Sequence, residues 1–374
     1  MKQKKEILLI SHAYIKKINT SFCQILSSKY NFNVTLVCPK KIKIKNFIYP
    51  DYVNLPNINK TFFLETKFSH LRVMYYKKLF SIIRKKNFSH IILDLDPVSL
   101  QSIILIIYSF LFKFKISYFS NENTILENNK SIKHKIKILF IKTVSNLLKK
   151  RIFKIFCYTN QIKDNLKKLG YNKNNLIICP LGYNNKIFFK KYKKSSKIFT
   201  ISYFGRIEPE KGIHNLLVAL NKINIKNFIF FLDVYHLNNL SFFKSIKKDL
   251  KLLLKKKQLK LIKPNYENIS TAMRKTDLTV VPSEFNEQYC RVLQEAAACG
   301  SLVIGSNTGA ITEIIFNNNF IFQKKKSESI KKKIEQIYFN KKKYKKEFLK
   351  VYNYIIKNRS ILHQAKILSM HLTD

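Results

Sequence analysis

Two doubly wound α/β domains, facing each other across a cleft, are the fold that this 374-residue chain predicts. Three observations predict it. The length suits two domains at roughly 150 residues apiece, each able to bury its own core. Apolar strand-like runs alternate with helical patterns in both halves, as parallel sheets flanked by helices require. A polar, lysine-rich passage, NNKIFFKKYKKSSK, separates the halves and ends in the linker-like Ser195 and Ser196.

The first half opens as βαβ, with strands at Glu6 to Ile10 and Asn33 to Val37 around a helix at Asn19 to Leu26. A strand at Ile91 to Leu93, a helix at Leu100 to Phe112, and strands at Ile116 to Phe119 and Ile152 to Tyr158 continue it. The second half repeats the pattern: strand Phe199 to Phe204, helix Gly212 to Leu220, strand Phe228 to Val234. Strands at Leu278 to Val281 and Leu302 to Ile304 then bracket a helix at Arg291 to Cys299. Tyr338 to Leu372 is helical in period. The expected domains are 1–190, completed by C-terminal helices at about 352–374, and 191–351. In such sheets ligands bind outside the carboxyl ends of the strands.

Composition excludes more than it assigns. The net charge is +48, yet 63 of the 70 basic residues are lysines. They run from Lys2 to Lys366 and travel with Asn, Ile and Phe, the mark of adenine- and thymine-rich codons. Specific nucleic-acid binding, which needs a confined basic patch, is not expected. The six cysteines show no C-x-x-C pair and read as buried thiols of a reducing compartment. The start, MKQKKEILLIS, has too short an apolar run for a signal peptide. Ser99 to Phe112 is too short for a bilayer span and reads as a buried helix. A cytoplasmic protein is expected.

The glycines locate the chemistry. None precedes Gly170, and five of the seven fall between Gly205 and Gly309. In YFGRIEPEKG a strand ends at Gly205, Arg206 follows, and Lys211 and Gly212 enter a helix. A helix N-terminus with two cations suits an anionic group such as a diphosphate. These ten residues alone fit an exposed cationic turn equally well. In VPSEFNEQYCRVLQEAAACG, Glu287 precedes a helix that begins near Cys290, and Glu295 lies in its second turn. A carboxylate there suits vicinal hydroxyls, as in dinucleotide folds. The amides of Gln288 to Arg291 again point at an anion. An ordinary amphipathic surface helix would carry the same two glutamates.

Four passages in order then resemble one family over nearly the whole chain. PSEFNEQYCRVLQEAAACGSLVIGS is similar to the E-x(7)-E signature of glycosyltransferase family 4, the retaining GT-B nucleotide-sugar transferases. YFGRIEPEKG is similar to its G-R-x(4)-K-G loop, ICPLGYNNKIF (178–188) to its passage before the linker, and KTDLTVVPS (275–283) to its A-D-x-x-x-x-P-S strand. The resemblance implies that Arg206 and Lys211 grip the donor diphosphate, Glu295 holds the ribose hydroxyls and Glu287 contacts the transferred sugar. Gly205, Gln288, Tyr289, Cys290 and Arg291 would complete the donor site. It also implies a nucleoside diphosphate sugar as co-substrate, no metal and no other cofactor, and a glycan or lipid-linked acceptor of cell-surface glycan assembly.

Three departures stand out. Cys290 occupies a place where the family often has glycine, and cysteine is expected to fit there only with negative φ. The family's histidine after a central N-terminal strand is absent from YFSNENTIL, so Asn121, Glu122 or Asn123 would face the site. Its G-x-G near Phe231 is replaced by Val234, Tyr235 and His236. His12, Asp94 and Asp96 end strands of the first half and would meet the acceptor, although a histidine at a strand end is more often structural. The lysine-rich surface suits peripheral attachment to anionic lipid at the inner membrane face. Two alternatives remain: a basic membrane- or nucleic-acid-binding scaffold with a degenerate site, and a nucleotide-sugar epimerase.

Overall fold

The computed structural model describes residues 4–43, 47–68, 73–95, 97–122, 135, 136, 138, 139, 142, 143, 146, 148–192, 196–235, 237 and 239–373. It divides into two compact units, one made of Met1–Gly182 with Ile361–Asp374, the other of Tyr183–Ser360.

In the first unit seven strands form one sheet: β1 (Lys5–Ser11), β2 (Phe32–Pro39), β3 (Lys60–Leu64), β4 (His90–Asp94), β5 (Lys115–Ser120), β6 (Ile152–Cys157) and β7 (Leu176–Ile178). Their spatial order is β7-β6-β5-β4-β1-β2-β3, with every pair parallel. A parallel sheet is covered on both faces, so its central strands are apolar without alternation. Ile7, Leu8, Leu9 and Ile10 of β1 are all fully buried. Strand order reverses between β1 and β4, which brings the ends of these two strands, Ser11 and Asp94, into register.

The second unit repeats this with six parallel strands: β8 (Phe199–Tyr203), β9 (Phe228–Asp233), β10 (Leu259–Ile262), β11 (Leu278–Val281), β12 (Leu302–Ser306) and β13 (Ile321–Phe322). The order β10-β9-β8-β11-β12-β13 reverses between β8 and β11. Helices Ile213–Lys222, Arg291–Ala298 and Ser327–Phe339 pack their apolar sides into this unit's core.

Most expected elements are present with ends moved by one or two residues. The first helix runs Ser21–Lys29, after a 3₁₀ turn at Lys17–Thr20. Periodicity does not mark β3, the helix Leu79–Lys85 or β10, for each run is short, and β10 is also interrupted by Lys260. Two expectations need correction. The helix Leu100–Phe112 is not buried throughout: Leu105 and Ile106 face the core, whereas Ile107, Phe110 and Leu111 are exposed. Only one side of a helix on a sheet is covered, and here the Arg151 guanidinium lies 3.8 Å above the Phe110 ring. The single C-terminal helical stretch is divided into Lys341–Asn358 and Ile361–Leu372, after Ser327–Phe339. It breaks because Arg359 leaves the helix, its carbonyl accepting the Tyr183 N–H at 2.9 Å while Ser360 bridges Tyr183.

That break sends Ile361–Leu372 back to the first unit, where it packs on Ser21–Lys29. The Gln364 side chain accepts the Gly182 N–H at 3.0 Å, and Leu368 is fully buried. All six cysteines are buried free thiols. Among the described residues no helix is long and apolar enough to cross a membrane.

Leu368→Ala should remove about 2–5 kcal/mol of stability, the usual cost of a buried leucine. Hydrogen exchange should accelerate across β1 and β2 while β8 and β11 keep their protection. Equal acceleration in both sheets would show that the C-terminal helix does not belong to the first unit alone.

Candidate functional site

The loops that leave β8 and β11 carry the expected donor residues, one loop on each side of the point where strand order reverses. Gly205, at φ +135°, turns the chain out of β8, and the Tyr203 hydroxyl donates to the Arg206 carbonyl at 2.5 Å. A 3₁₀ turn, Pro209–Lys211, then delivers Lys211 to the start of the helix Ile213–Lys222. Gly212 between them has φ +67°, and a Cβ there would collide with the Pro282 carbonyl. The two loops therefore touch backbone to side-chain-free backbone.

Across this contact the Lys211 ammonium donates to Glu287 Oε1 at 2.9 Å and lies 4.5 Å above the Phe285 ring. The Ser283 hydroxyl donates to the same Glu287 oxygen at 2.6 Å. Side-chain exposure of 19% for Lys211 and 10% for Glu287 makes this a largely desolvated pair, where loss of one partner strands the other charge. Arg206 is different. Its guanidinium is half-exposed and reaches Glu208 at 2.5 Å and Glu210 at 3.7 Å, contacts worth little in water.

Glu287 is held from a third side. Ala310 N–H donates to its carbonyl at 2.8 Å, and Gly309 passes so close that a Cβ would collide with the Glu287 backbone. Neither Ser283 nor Gly309 was among the expected site residues. The sequence signals were the Pro-Ser end of β11 and the last glycine of the glycine-rich half.

Cys290 corrects an expectation. It has φ +36° and ψ +66°, the left-handed conformation, and precedes the helix Arg291–Ala298. Cysteine thus adopts the backbone geometry that glycine would supply, at a strain of roughly 1–2 kcal/mol. The loop is braced nearby, where Gln294 Nε2 donates to the Tyr289 carbonyl at 2.8 Å. Burial pushes the Cys290 thiol well above its ordinary range.

Arg206, Lys211, Glu287, Gln288, Tyr289 and Arg291 are among the side chains around a cavity of about 350 Å³, which Gly205 and Cys290 also line. Glu295 does not line it. Its carboxyl is buried one turn beyond Arg291, its Oε1 has no hydrogen-bond partner, and burial raises it to about 8 although Arg291 pulls the other way.

In the first unit, His12 and Asp94 stand at the reversal between β1 and β4. The Ser11 hydroxyl donates to Asp94 at 2.7 Å and accepts the Ala13 N–H, and His12 Nδ1 is buried without a partner. Asn121 and Glu122 follow β5, one strand away; the Glu122 N–H donates to Ser120 Oγ at 3.4 Å. Asp96, Asn123 and His236 lie outside the described residues. Among the described residues no cluster of three or more His, Cys, Asp or Glu could hold a metal ion.

Residues 184–350 match the family model of the glycosyl transferases, group 1. The fold as a whole is shared with solved structures. A glycosyltransferase from Rickettsia africae ESF-5 superposes with a TM-score of 0.74, at 17% identity over 98% of both chains. Anabaena HepE, solved in complex with UDP, gives 0.73 at 13% identity over 99% of both. Sucrose-phosphate synthase from Thermosynechococcus elongatus gives 0.73 at 14% over 98% of both. Such identities carry the fold, which is GT-B. Among curated proteins none matches the chain in sequence.

The buried Glu295 gives a pH test. In the unfolded chain its carboxyl ionises near the ordinary 4.5, but the folded chain keeps the proton up to about 8. Folding binds a proton in that window, so this group's contribution to stability declines as pH rises and levels off above about 8. Glu295→Gln should flatten the fall in urea midpoint between about pH 5 and 8. Identical slopes in the two proteins would rule out a buried neutral Glu295.

Proposed function

We propose that the protein transfers a sugar from a nucleoside diphosphate sugar to an acceptor with retention of anomeric configuration, as a family 4 enzyme. The observation that carries this is the pair of loops at the second unit's reversal, where Arg206 and Lys211 border one cavity with Glu287 and the N-terminus of Arg291–Ala298. The group 1 family match over the same unit supports it.

In this scheme the diphosphate lies against Arg206, Lys211 and the backbone amides of Gln288 to Arg291. Lysine has three N–H donors and Glu287 occupies one, so the ammonium can still donate to phosphate. Glu287, fixed by Ser283 and by the Gly309–Ala310 backbone, presents its remaining oxygen to hydroxyls of the transferred sugar. As the donor bond breaks, negative charge grows on the leaving diphosphate. Cations already held in place stabilise that charge without reorganising. The acceptor hydroxyl attacks from the face that the diphosphate leaves: the new glycosidic bond forms as the sugar–phosphate bond breaks and the hydroxyl proton passes to the departing phosphate oxygen, so no protein nucleophile is required. Glu295 receives the ribose hydroxyls. It lies outside the wall of the cavity that Arg206, Lys211 and Glu287 border. His12, Asp94, Asn121 and Glu122 meet the acceptor, a glycan or lipid-linked glycan. The protein works in the cytoplasm, against the anionic inner face of the membrane.

Lys211→Ala should lower kcat/KM for donor turnover by about 10²–10³, the usual penalty for removing one charge-stabilising donor. Glu295→Ala should instead chiefly weaken nucleoside diphosphate affinity, read as a lost thermal shift. Full activity in both variants would sink the site assignment. A sugar isomerised without acceptor would identify an epimerase, and polyanion binding without nucleotide affinity a scaffold.

A further inference from the structure

A second cavity in the second unit has no role in the chemistry above. It measures about 680 Å³, within the range of small-molecule sites. Among the described residues its cations are Lys190, Lys191, Arg274, Lys345 and Lys346, and its one carboxylate is Asp277. That carboxylate is already engaged, for Asp277 Oδ1 lies 3.1 Å from the Lys341 ammonium and Oδ2 accepts the Thr200 N–H at 3.0 Å. Among the described residues none of the five cations has a carboxylate within salt-bridge distance.

The cations are held by the fold. Arg274 donates to the Ile187 and Phe189 carbonyls at 2.8 and 3.1 Å and stacks over the Phe189 ring at 4.7 Å, leaving N–H groups to spare. The stem of Lys190 packs on Gly300, and its ammonium lies 5.8 Å from the centre of the Tyr352 ring. Lys345 and Lys346 are consecutive on the helix Lys341–Asn358. The C-terminal end of Arg291–Ala298, where Cys299 and Gly300 line the cavity, offsets roughly half a charge. Five like charges around a concavity repel one another unless an anion joins them. Tyr352, Phe348 and Leu349 add an apolar wall beside them.

We propose that this cavity is a second anion site, which binds a phosphate ester: the phosphate against Arg274 and the lysines, the organic part against Tyr352 and Leu349. It shares no lining residue with the donor cavity. The helix Arg291–Ala298 spans about 12 Å between them at 1.5 Å per residue, its first residues at one and its last at the other. The phosphate can come from a soluble ester or from a phospholipid headgroup.

Calorimetry on the full chain with glycerol 3-phosphate, and sedimentation with vesicles of about 30 mol % phosphatidylglycerol in phosphatidylcholine, separate the two sources. The test variant is Lys345→Gln/Lys346→Gln, at exposed positions that leave the fold intact. Its control is Lys251→Gln/Lys255→Gln, which removes the same charge from exposed positions on another helix. The expected result is one bound glycerol 3-phosphate per chain, weakened about tenfold by the first pair and unchanged by the second or by Lys211→Ala. Vesicle binding with that same dependence, in the absence of glycerol 3-phosphate binding, identifies the headgroup as the source. Equal losses in both pairs, loss on Lys211→Ala, or no binding of either probe overturns the proposal. Because Lys211→Ala tests the donor cavity separately, failure here leaves the proposed transfer reaction standing.

Discussion

The Lys211–Glu287 ion pair fastens the loop after β8 to the loop after β11, and the geometry of the cavity beside them depends on it. Two charges so little exposed are expensive to desolvate, and contacts from neighbouring groups offset part of that cost. Ser283 donates to Glu287, the Phe285 ring lies under Lys211, and Ala310 holds the Glu287 backbone. The pair also has backbone consequences. Gly212 can approach Pro282, and Gly309 can approach Glu287, only because neither carries a side chain. Position 287 is thus determined by three separate segments.

Charge balance at this site argues against the view that a very basic protein binds phosphate simply because it is basic. Arg206, Lys211 and Arg291 border the cavity, but Glu208, Glu210 and Glu287 stand within reach of the first two. The signs cancel almost fully. In the proposed reaction, discrimination in favour of a diphosphate comes from the direction of N–H groups at a helix start and from an ammonium with donors to spare, both short-range terms. The second cavity is the opposite case: among the described residues cations are in excess and the one lining carboxylate, Asp277, is paired with Lys341. The two cavities of this unit thus differ in charge, one nearly balanced and the other with cations in excess.

Sequence periodicity reached the sheets because parallel strands buried on both faces are continuous apolar runs, as in Ile7 to Ile10 and Leu278 to Val281. It also reached the loops of the second unit, where Arg206, Lys211 and Glu287 follow strand ends. The partners escaped it. That Lys211 contacts Glu287 depends on the reversal of strand order between β8 and β11, a property of the whole sheet, and nothing local to either residue encodes it. The Glu295 environment was hidden for the same reason, since burial by its surroundings sets it. The C-terminal break was missed because its cause, the bond from Tyr183 to Arg359, joins residues far apart in sequence.

Cys290 gives the scarcity of glycine its physical meaning. Among the described residues nine non-glycine residues have positive φ, four of them lysines and two asparagines, against five glycines. Left-handed turns alone have therefore not preserved glycine in this chain. Lys78, Lys113, Lys257 and Lys325 adopt such backbone, each at roughly 1–2 kcal/mol of strain. What distinguishes Gly212 and Gly309 is the added collision that a Cβ would make with facing backbone, which no rotamer can relieve. At Cys290 the left-handed turn carries a side chain that is accommodated in the core of the second unit. Gly212 and Gly309 thus stand where two chain segments touch, and both places border the Lys211–Glu287 pair.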